Sequence, residues 1–423
     1  MPGREPRSVR EPGRNAFLTR ESPRVGTLRS PFVGDGMSID FPYTFGIEEE
    51  FFLVSPRTRG LMARVPKTYL QACRARLGDI VAPELLQSQI EVATRVLSDF
   101  DEAARTLDTC RAGLAEVAES MNYRLVAAGT HPSSHWAGLE ATEKPRYARL
   151  MQDFGIVGRR NVLCGLHVHV AVPPGVDRVV VMNGVLRWLP LFLALSTSSP
   201  FWNRHVTGLL SYRQAAYDEW PRTGIPEFFR DQADYDAFAA RLVDAGAMRD
   251  ASFLWWAIRP ALRYPTLELR IADACTRAED TLIIAALYRC LVRALVRDPS
   301  LAVPHDAHTR RLIDENRWRA KRDGMEAQFI DERDGRVRPL TDWLEELMTL
   351  TGPDRAALGA DRVLRRLPTL LSRGSSAHAQ LQAYQQARDG GAGHDDALRA
   401  VVDWLVSRTT QKIGSDERVD TRG

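Results

Sequence analysis

The sequence predicts an α+β fold, in which strands and helices follow one another in no strict order. Stretches with the two-residue periodicity of strands are separated by helical stretches of varied number and length. A doubly wound fold would instead alternate one strand with one helix. From about residue 300 the pattern is helical throughout, and the sequence contains no internal repeat. We therefore expect helices packed around a sheet, with the C-terminal third wrapping it.

Alternating or short β-branched apolar runs predict five strands, at about 44–54, 86–94, 124–129, 162–172 and 264–272. Helical periodicity predicts six longer helices, at about 99–121, 178–195, 279–297, 306–322, 353–371 and 395–408. Ser98 and Asp99 are candidate caps for the first of these helices. The fifth opens at Gly352 and Pro353, where the missing N–H of a first-turn proline costs nothing.

The chain has 423 residues, of which 44% are hydrophobic, so it can bury at least one large core. Residues 1–36 are rich in Arg, Pro, Gly and Ser and lack any periodicity, which predicts a disordered tail. We expect one domain over 37–410 and a flexible C-terminus over 411–423. Because Met37 directly precedes the patterned sequence, it is a candidate start of the native protein.

Charge and cysteine content limit the partners and the compartment. The formal net charge of +3 is accounted for by the first 36 residues, which hold seven arginines and four acidic residues. The remaining chain is neutral, and this argues against nucleic acid as a partner. Five cysteines without a CxxC pair favour a reducing cytoplasm. The apolar run 179–195 is broken by Asn183, Arg187 and Pro190, so we interpret it as a core helix and expect no membrane partner.

Four of the predicted strands have one apolar face and one polar face, because residues two apart in a strand share a face. The polar faces carry Glu48 with Glu50, Glu91 with Gln87 and Gln89, His167 with His169, and Glu268 with Thr266 and Arg270. Glu49 is out of pattern, since it shares its face with apolar residues. A single polar face is usually just solvated. If the four strands share a sheet, however, these groups converge on one cavity.

The chemistry of the polar faces favours a hard divalent cation. Glu48 and Glu50 would lie roughly 7 Å apart, from two steps of strand rise. Clustered carboxylates repel one another unless a cation lies between them. Oxygen-rich clusters suit Mg²⁺ or Mn²⁺, whereas zinc favours several His or Cys ligands. His167 and His169 alone are therefore a weak zinc signal.

Several common motifs are missing from the sequence. The chain has four lysines, none of which follows a glycine, so a P-loop is excluded. GxGxxG, GxSxG and HExxH are absent as well, which removes the usual dinucleotide, serine-hydrolase and zincin interpretations. If a nucleotide binds, metals and arginines must hold its phosphates.

Six blocks of sequence, in order between about 44 and 390, resemble the bacterial carboxylate–amine ligase family, also called glutamate–cysteine ligase type 2. They are GIEEEFFLV (46–54), ELLQSQIEVAT (84–94), CGLHVHVAV (164–172), SPFWNRHVTGLLSYR (199–213), WWAIRPALRYPTLELRIADA (255–274) and ENRWRAKRDGMEAQFID (315–331). The resemblance implies a curved, mainly antiparallel sheet, as in glutamine synthetases, whose concave face holds metals. It also implies ATP and Mg²⁺ as partners of a catalytic ligase domain over 37–410.

The resemblance further implies the metal-site residues Glu48, Glu50, Glu84, Glu91, His167 and Glu268. Strand parity does not place Glu84 in the cavity, because it lies seven residues from Glu91 and so has the opposite parity. Relatives commonly have Gly, Arg and Asp where this chain has Arg204, His205 and Val206. That departure puts the pocket for the acceptor in question.

The remaining candidate site residues are weighed between a role in the reaction and a structural role. Arg270 is the candidate catalytic group on the transferring phosphoryl or the substrate carboxylate, or else it forms a structural ion pair. Tyr212, Arg213 and His169 are candidates for substrate binding. Two further groups have weaker signals: Trp255 with Trp256 suits the core, and Arg317, Arg319 and Lys321 suit either a solvated helix face or nucleotide contact.

The function that follows is an ATP-dependent ligation of a glutamate-like carboxylate to a cysteine-like or other amine through an acyl phosphate. The family implies only weak glutamate–cysteine ligation, so the true amine stays open. A metal-dependent amide hydrolase with the same carboxylate and His cluster is the main alternative. A non-catalytic carboxylate-binding module is the second, although it gives no reason to keep the repelling acids. A homodimer is one candidate assembly.

Overall fold

The computed structural model describes residues 41–415, apart from residues 134 and 138. The predicted tail 1–36, the candidate start Met37 and residues 416–423 lie outside the described residues. Eleven strands are found within the described part of the chain. They are β1 Phe45–Val54, β2 Val81–Pro83, β3 Gln89–Ala93, β4 Arg124–Val126, β5 Leu166–Ala171, β6 Phe201–Trp202, β7 His205–Val206, β8 Ile258–Pro260, β9 Thr266–Leu269, β10 Gln328–Ile330 and β11 Val337–Pro339.

Sixteen α-helices are found over the same residues. They are α1 Lys67–Leu77, α2 Phe100–Ser120, α3 Pro145–Phe154, α4 Ile156–Arg159, α5 Arg178–Val185, α6 Leu189–Ser196, α7 Tyr212–Tyr217, α8 Gln232–Asp244, α9 Ala278–Arg297, α10 Thr309–Asp323, α11 Leu340–Leu350, α12 Gly352–Ala357, α13 Asp361–Leu364, α14 Leu367–Arg373, α15 Ser376–Asp389 and α16 His394–Thr409. At the start of α2, the side chain of Asp99 accepts a hydrogen bond from Glu102 N, as its sequence position predicts.

The main sheet is antiparallel, with the strand order β2-β3-β1-β5-β9-β8, and β4 pairs with the C-terminal part of β1. The register places Glu48 beside His167 and Glu50 beside Glu91. It also places His169 beside Glu268. Since directly paired residues lie on the same face, the four predicted polar faces become one surface. The α+β class with an antiparallel sheet is confirmed.

The opposite face of the sheet carries the main core. Val168 and Val170 of β5 and Leu267 and Leu269 of β9 are fully buried there, together with almost the whole of α9. Burial of each such side chain stabilises the fold by roughly 1.5–3 kcal/mol. The apolar packing behind the sheet therefore fixes the position of the polar residues in front of it.

The contacts of Glu49 explain why an acid stands on the apolar face of β1. It faces the core side and is 5% exposed, where the Arg111 guanidinium of α2 donates to both of its carboxylate oxygens, at 3.0 Å from Nε and 2.5 Å from Nη2. Thr281 Oγ1 donates to the same carboxylate at 2.7 Å. Arg111 also donates to the carbonyls of Thr276, Cys275 and Thr409. The acid in this apolar face is thus half of a buried and fully bonded ion pair.

The predicted elements are largely present, with three corrections. The strand predicted at 86–94 begins only at Gln89, because the preceding residues form a turn. The helix predicted at 353–371 begins as expected at Gly352 but is divided into α12, α13 and α14. The C-terminal third is not helical throughout, since β10 and β11 form a hairpin there. The span Arg178–Ser196 is long and apolar enough to cross a membrane, but 89% of its apolar window is buried inside the protein, as a core helix requires.

Candidate active site

A cavity of about 670 Å³ opens over the polar face of the main sheet. Its lining includes every residue that the sequence proposes as a metal ligand, together with His169, Arg213 and Arg270. The ligand candidates in the lining are Glu48, Glu50, Glu84, Glu91, His167 and Glu268. Glu84 reaches the cavity from the turn between β2 and β3, which is why strand parity could not place it.

Three of these residues, Glu48, His167 and Glu268, form a compact cluster. Each offers one ligand atom, and these atoms all lie within 4.8 Å of one another. His167 Nδ1 lies 2.9 Å from Glu48 Oε2, and His169 Nε2 lies 3.2 Å from Glu48 Oε1. The cluster thus combines two carboxylates with an imidazole, a donor set that suits a divalent cation.

Protonation in the cluster favours cation binding. Burial lowers the pKa of His167 to about 4, so this imidazole is neutral at pH 7. A neutral imidazole whose Nδ1–H donates to Glu48 keeps a lone pair on Nε2 for a metal. Burial raises the pKa of Glu48, but hydrogen bonds with His167 and His169 outweigh burial and hold this pKa well below its usual range. Glu48 is therefore a carboxylate at pH 7.

Glu50, Glu84 and Glu91 form a second acidic group beside the first. Burial, followed by the charge of Glu84, raises the pKa of Glu50 to about 8. Burial together with Glu84 and Glu48 also raises the pKa of Glu91 well above its ordinary value. Burial and mutual repulsion thus both disfavour the charged forms of Glu50 and Glu91. A bound cation would remove the repulsion, so the residues fit the divalent metals that the sequence predicts.

Arg270 and Arg259 enclose Glu268 from both sides. Arg270 Nη1 donates to Glu268 Oε1, and Arg259 Nε donates to Glu268 Oε2 at 2.7 Å. Burial raises the pKa of Glu268, but Arg270 and Arg259 outweigh it and hold the pKa far below its usual range. Arg270 therefore forms the structural ion pair that the sequence analysis considered as its alternative role. Its side chain also lines the cavity. Sequence reasoning missed Arg259, because the three-residue strand β8 has no readable periodicity.

Helix α7 contributes Arg213 and Tyr217 to the cavity, whereas Tyr212 lies outside its lining. The Tyr212 ring instead stacks on Trp202, with ring centroids 5.3 Å apart. Positions 213 and 217 are four apart and so share a helix face, but position 212 points elsewhere. The structure therefore does not bring Tyr212 to the site, and it supplies Tyr217, which the sequence analysis did not choose.

The other groups considered from the sequence divide between structure and site. Arg204 and His205 belong to the β6–β7 hairpin, and neither they nor Val206 line the cavity. Trp255 lines the cavity, whereas Trp256 packs in the main core. Arg317 Nη1 donates to Asp218 at 2.7 Å, and Lys321 Nζ donates to the same carboxylate. Arg317 and Lys321 are therefore buried and paired with Asp218, just after α7. The sequence had suggested a solvated helix face or a nucleotide contact for them.

Comparison with solved structures identifies the fold. The chain superposes on the glutamate–cysteine ligase from Francisella tularensis, solved in complex with AMP, with a TM-score of 0.63. The superposition covers 90% of this chain and 95% of that one at 12% sequence identity. At this identity the match establishes the shared fold alone.

Sequence comparison identifies the family. The family model for glutamate–cysteine ligase family 2 matches residues 44–399. A relative from Ectopseudomonas mendocina is 45% identical over 370 residues, 86% of this chain and 97% of the relative. Another from Rhodospirillum rubrum is 44% identical over 378 residues, 88% and 97% of the two chains. Both are provisionally named glutamate–cysteine ligase 2.

The fold and the relatives together define a ligase enzyme. More particularly, the chain belongs to glutamate–cysteine ligase family 2. The amide hydrolase considered as an alternative has no support in any of these matches.

Proposed function

We propose that this protein is an ATP-dependent carboxylate–amine ligase that uses divalent cations. The observation that carries the proposal is the cluster of Glu48, His167 and Glu268, with a second acidic group and five arginines in the lining of the same cavity. An amide hydrolase would need the metal but not the phosphate-binding arginines. The nucleotide in the cavity of this fold is proposed by analogy with the AMP complex of the Francisella tularensis enzyme.

The cation sites follow from the two acidic groups. Glu48, His167 and Glu268 would hold one Mg²⁺ or Mn²⁺, and Glu50, Glu84 and Glu91 would hold further metal. When bound, the cations would neutralise charge on the ATP phosphates, which is the main requirement of phosphoryl transfer.

The residues of the chain bind and orient the two substrates. The substrate carboxylate attacks the γ-phosphorus of ATP, so a C–O–P bond forms and ADP leaves. Arg270 stabilises charge on the transferring phosphoryl oxygens, and Arg213 holds a second carboxylate of the substrate. His169 lies beside the cluster and lines the same cavity. The amine then attacks the acyl phosphate, loses a proton and displaces inorganic phosphate, which leaves the amide.

We propose a glutamate-like carboxylate substrate and a cysteine-like or other small amine, because the relatives carry the name of glutamate–cysteine ligase. All five cysteines are buried as free thiols within the described residues. Free thiols persist in a reducing compartment, so we propose that the enzyme acts in the cytoplasm.

The test is ADP release with Mg-ATP, L-glutamate and a panel of amines. We expect amine-stimulated ADP formation, and we expect Glu48→Gln to abolish it. ADP formation without any amine or carboxylate dependence would contradict ligation. Amine-dependent ADP formation that survives Glu48→Gln would instead contradict the assignment of the site.

A further inference from the structure

We infer that Asp273 and Gly165 position the guanidinium of Arg213 for the substrate carboxylate, so that affinity for this substrate depends on two residues that do not touch it. The inference rests on the proposed function, in which Arg213 holds a carboxylate. Asp273 does not line the cavity, and Gly165 has no side chain to do so.

Asp273 is held rigidly by hydroxyl and backbone donors. It is fully buried, and its carboxylate accepts hydrogen bonds from Ser199 Oγ at 2.7 Å, Ser211 Oγ at 2.9 Å and Ser198 N at 3.1 Å. Gly129 makes room for it, since a Cβ at that position would lie 2.8 Å from Asp273 Oδ2. A buried carboxylate with this many donors has a fixed orientation.

Asp273 in turn fixes both ends of Arg213. Its Oδ1 lies 3.8 Å from Arg213 Nη1, which donates to Ala272 O at 3.1 Å. Ser199 Oγ, which donates to Asp273, accepts from the backbone N–H of Arg213 at 3.0 Å. The charge of the guanidinium and the first turn of α7 are therefore both tied to the same buried acid.

Gly165 allows the guanidinium to lie flat against the start of β5. A Cβ at Gly165 would lie 2.3 Å from Arg213 Nη2, a distance that only displacement of the guanidinium could relieve. The backbone N–H of Gly165 also donates to Glu50 Oε2 at 2.7 Å. Gly165 thus brings Arg213 and a metal-ligand candidate together at one point of the cavity.

The guanidinium has an unused donor in this position. Arg213 is 4% exposed and lines the cavity, and its Nε, which is itself buried, has no hydrogen-bond partner among the described residues. A buried charged group with an unused donor is unfavourable unless a ligand accepts a hydrogen bond from that donor. A carboxylate is the complementary group, because it accepts two parallel N–H bonds from guanidinium.

The test compares Asp273→Asn and Gly165→Ala with Asp354→Asn in the full-length protein. Asp354 is also fully buried and paired with arginines, Arg293 and Arg297, but it does not line the cavity. We expect the first two variants to raise the KM for L-glutamate about tenfold, the effect of losing about 1.4 kcal/mol of binding. The KM for ATP and the calorimetric affinity for Mn²⁺ should stay as in the wild type in Asp273→Asn. The Cβ of Gly165→Ala would also lie 3.3 Å from His167 Nε2, so this variant is decided by the double-mutant cycle instead. Asp354→Asn should lower Tm without changing either KM.

A double-mutant cycle tests whether Gly165 acts through Arg213. In an Arg213→Lys background, which lacks the guanidinium, Gly165→Ala should raise the KM for L-glutamate by less than twofold. An equal rise in both backgrounds would overturn the inference, as would an Asp273→Asn variant that only lowers Tm in the way of Asp354→Asn. Failure of the proposed function would appear separately, as absent amine-stimulated ADP release in the wild type. The inference would then be decided by calorimetric binding of L-glutamate to the same variants.

Discussion

Two adjacent residues of β1 should show opposite phenotypes when each is changed to glutamine. Glu49→Gln removes the counter-ion of Arg111, which is 2% exposed and cannot be rehydrated. Breaking a buried ion pair on one side costs about 3–5 kcal/mol of unfolding free energy. Unfolding entropy of roughly 2.1 cal/mol/K per residue gives about 0.8 kcal/mol/K for the described residues 41–415. We therefore expect Tm to fall by about 4–6 °C, while turnover at 20 °C stays near that of the wild type.

Glu48→Gln should do the reverse. It removes a negative charge beside Glu91 but also the carboxylate that His167 and His169 hold, so Tm without metal should fall by less than in Glu49→Gln. The stabilisation by Mn²⁺ and the release of ADP should be lost, because Glu48 is shared between His167 and His169 at the centre of the cluster. Thermal unfolding with and without Mn²⁺, followed by an ADP assay below both transitions, measures the two effects. Loss of turnover in folded Glu49→Gln, or equal destabilisation by both variants, would refute the assignment of faces along β1.

Three further results are expected. Without metal, stability should fall as pH rises from about 6.5 to 8, because ionising Glu50, whose pKa is raised to about 8, destabilises the fold. Below about pH 6.5 the histidines with lowered pKa values, His131 and His167 among them, act in the opposite direction. Saturating Mn²⁺ should flatten this dependence in unfolding measured from pH 6.5 to 8, and a flat metal-free profile would contradict the raised pKa of Glu50. Tyr217→Phe should lower kcat/KM severalfold and Tyr212→Phe should not, because only Tyr217 lines the cavity; equal kinetic losses would place both in the site. Arg317→Gln should lower Tm by several degrees and leave the KM for ATP unchanged, because Arg317 pairs with Asp218; a raised KM for ATP at constant Tm would restore the nucleotide contact.

Strand parity predicted the part of the site that lies within regular strands. It assigned Glu48, Glu50, Glu91, His167 and Glu268 to polar faces, and the register of β1, β3, β5 and β9 joins those faces. The order of the strands could not be obtained this way, because periodicity within a segment carries no information about its neighbours in the sheet. The family resemblance supplied that step.

The residues that the sequence analysis misplaced lie outside regular strands or on short elements. Glu84 is in a turn, where alternation has no meaning, so its place in the cavity depended on the family pattern. Tyr212 was chosen together with Arg213, but adjacent residues on a helix diverge by about 100°. The i,i+4 spacing of Arg213 and Tyr217 was the signal available for the correct pair. Arg259 had no such signal, since β8 is only three residues long.

The hydrogen bonds of Arg111 join an early and a late part of the chain, and so bear on when the site forms during synthesis. This arginine joins Glu49 of β1, one of the first residues of the fold to leave the ribosome, to the carbonyl of Thr409 at the end of α16. Thr409 Oγ1 also accepts from Ala127 N, just after β4. The Glu49–Arg111 pair behind the strand that carries Glu48 and Glu50 thus gains its bond to Thr409 only when α16 has been made. A nascent chain that stops short of α16 would hold all the metal-ligand candidates, but on a strand not yet locked in place.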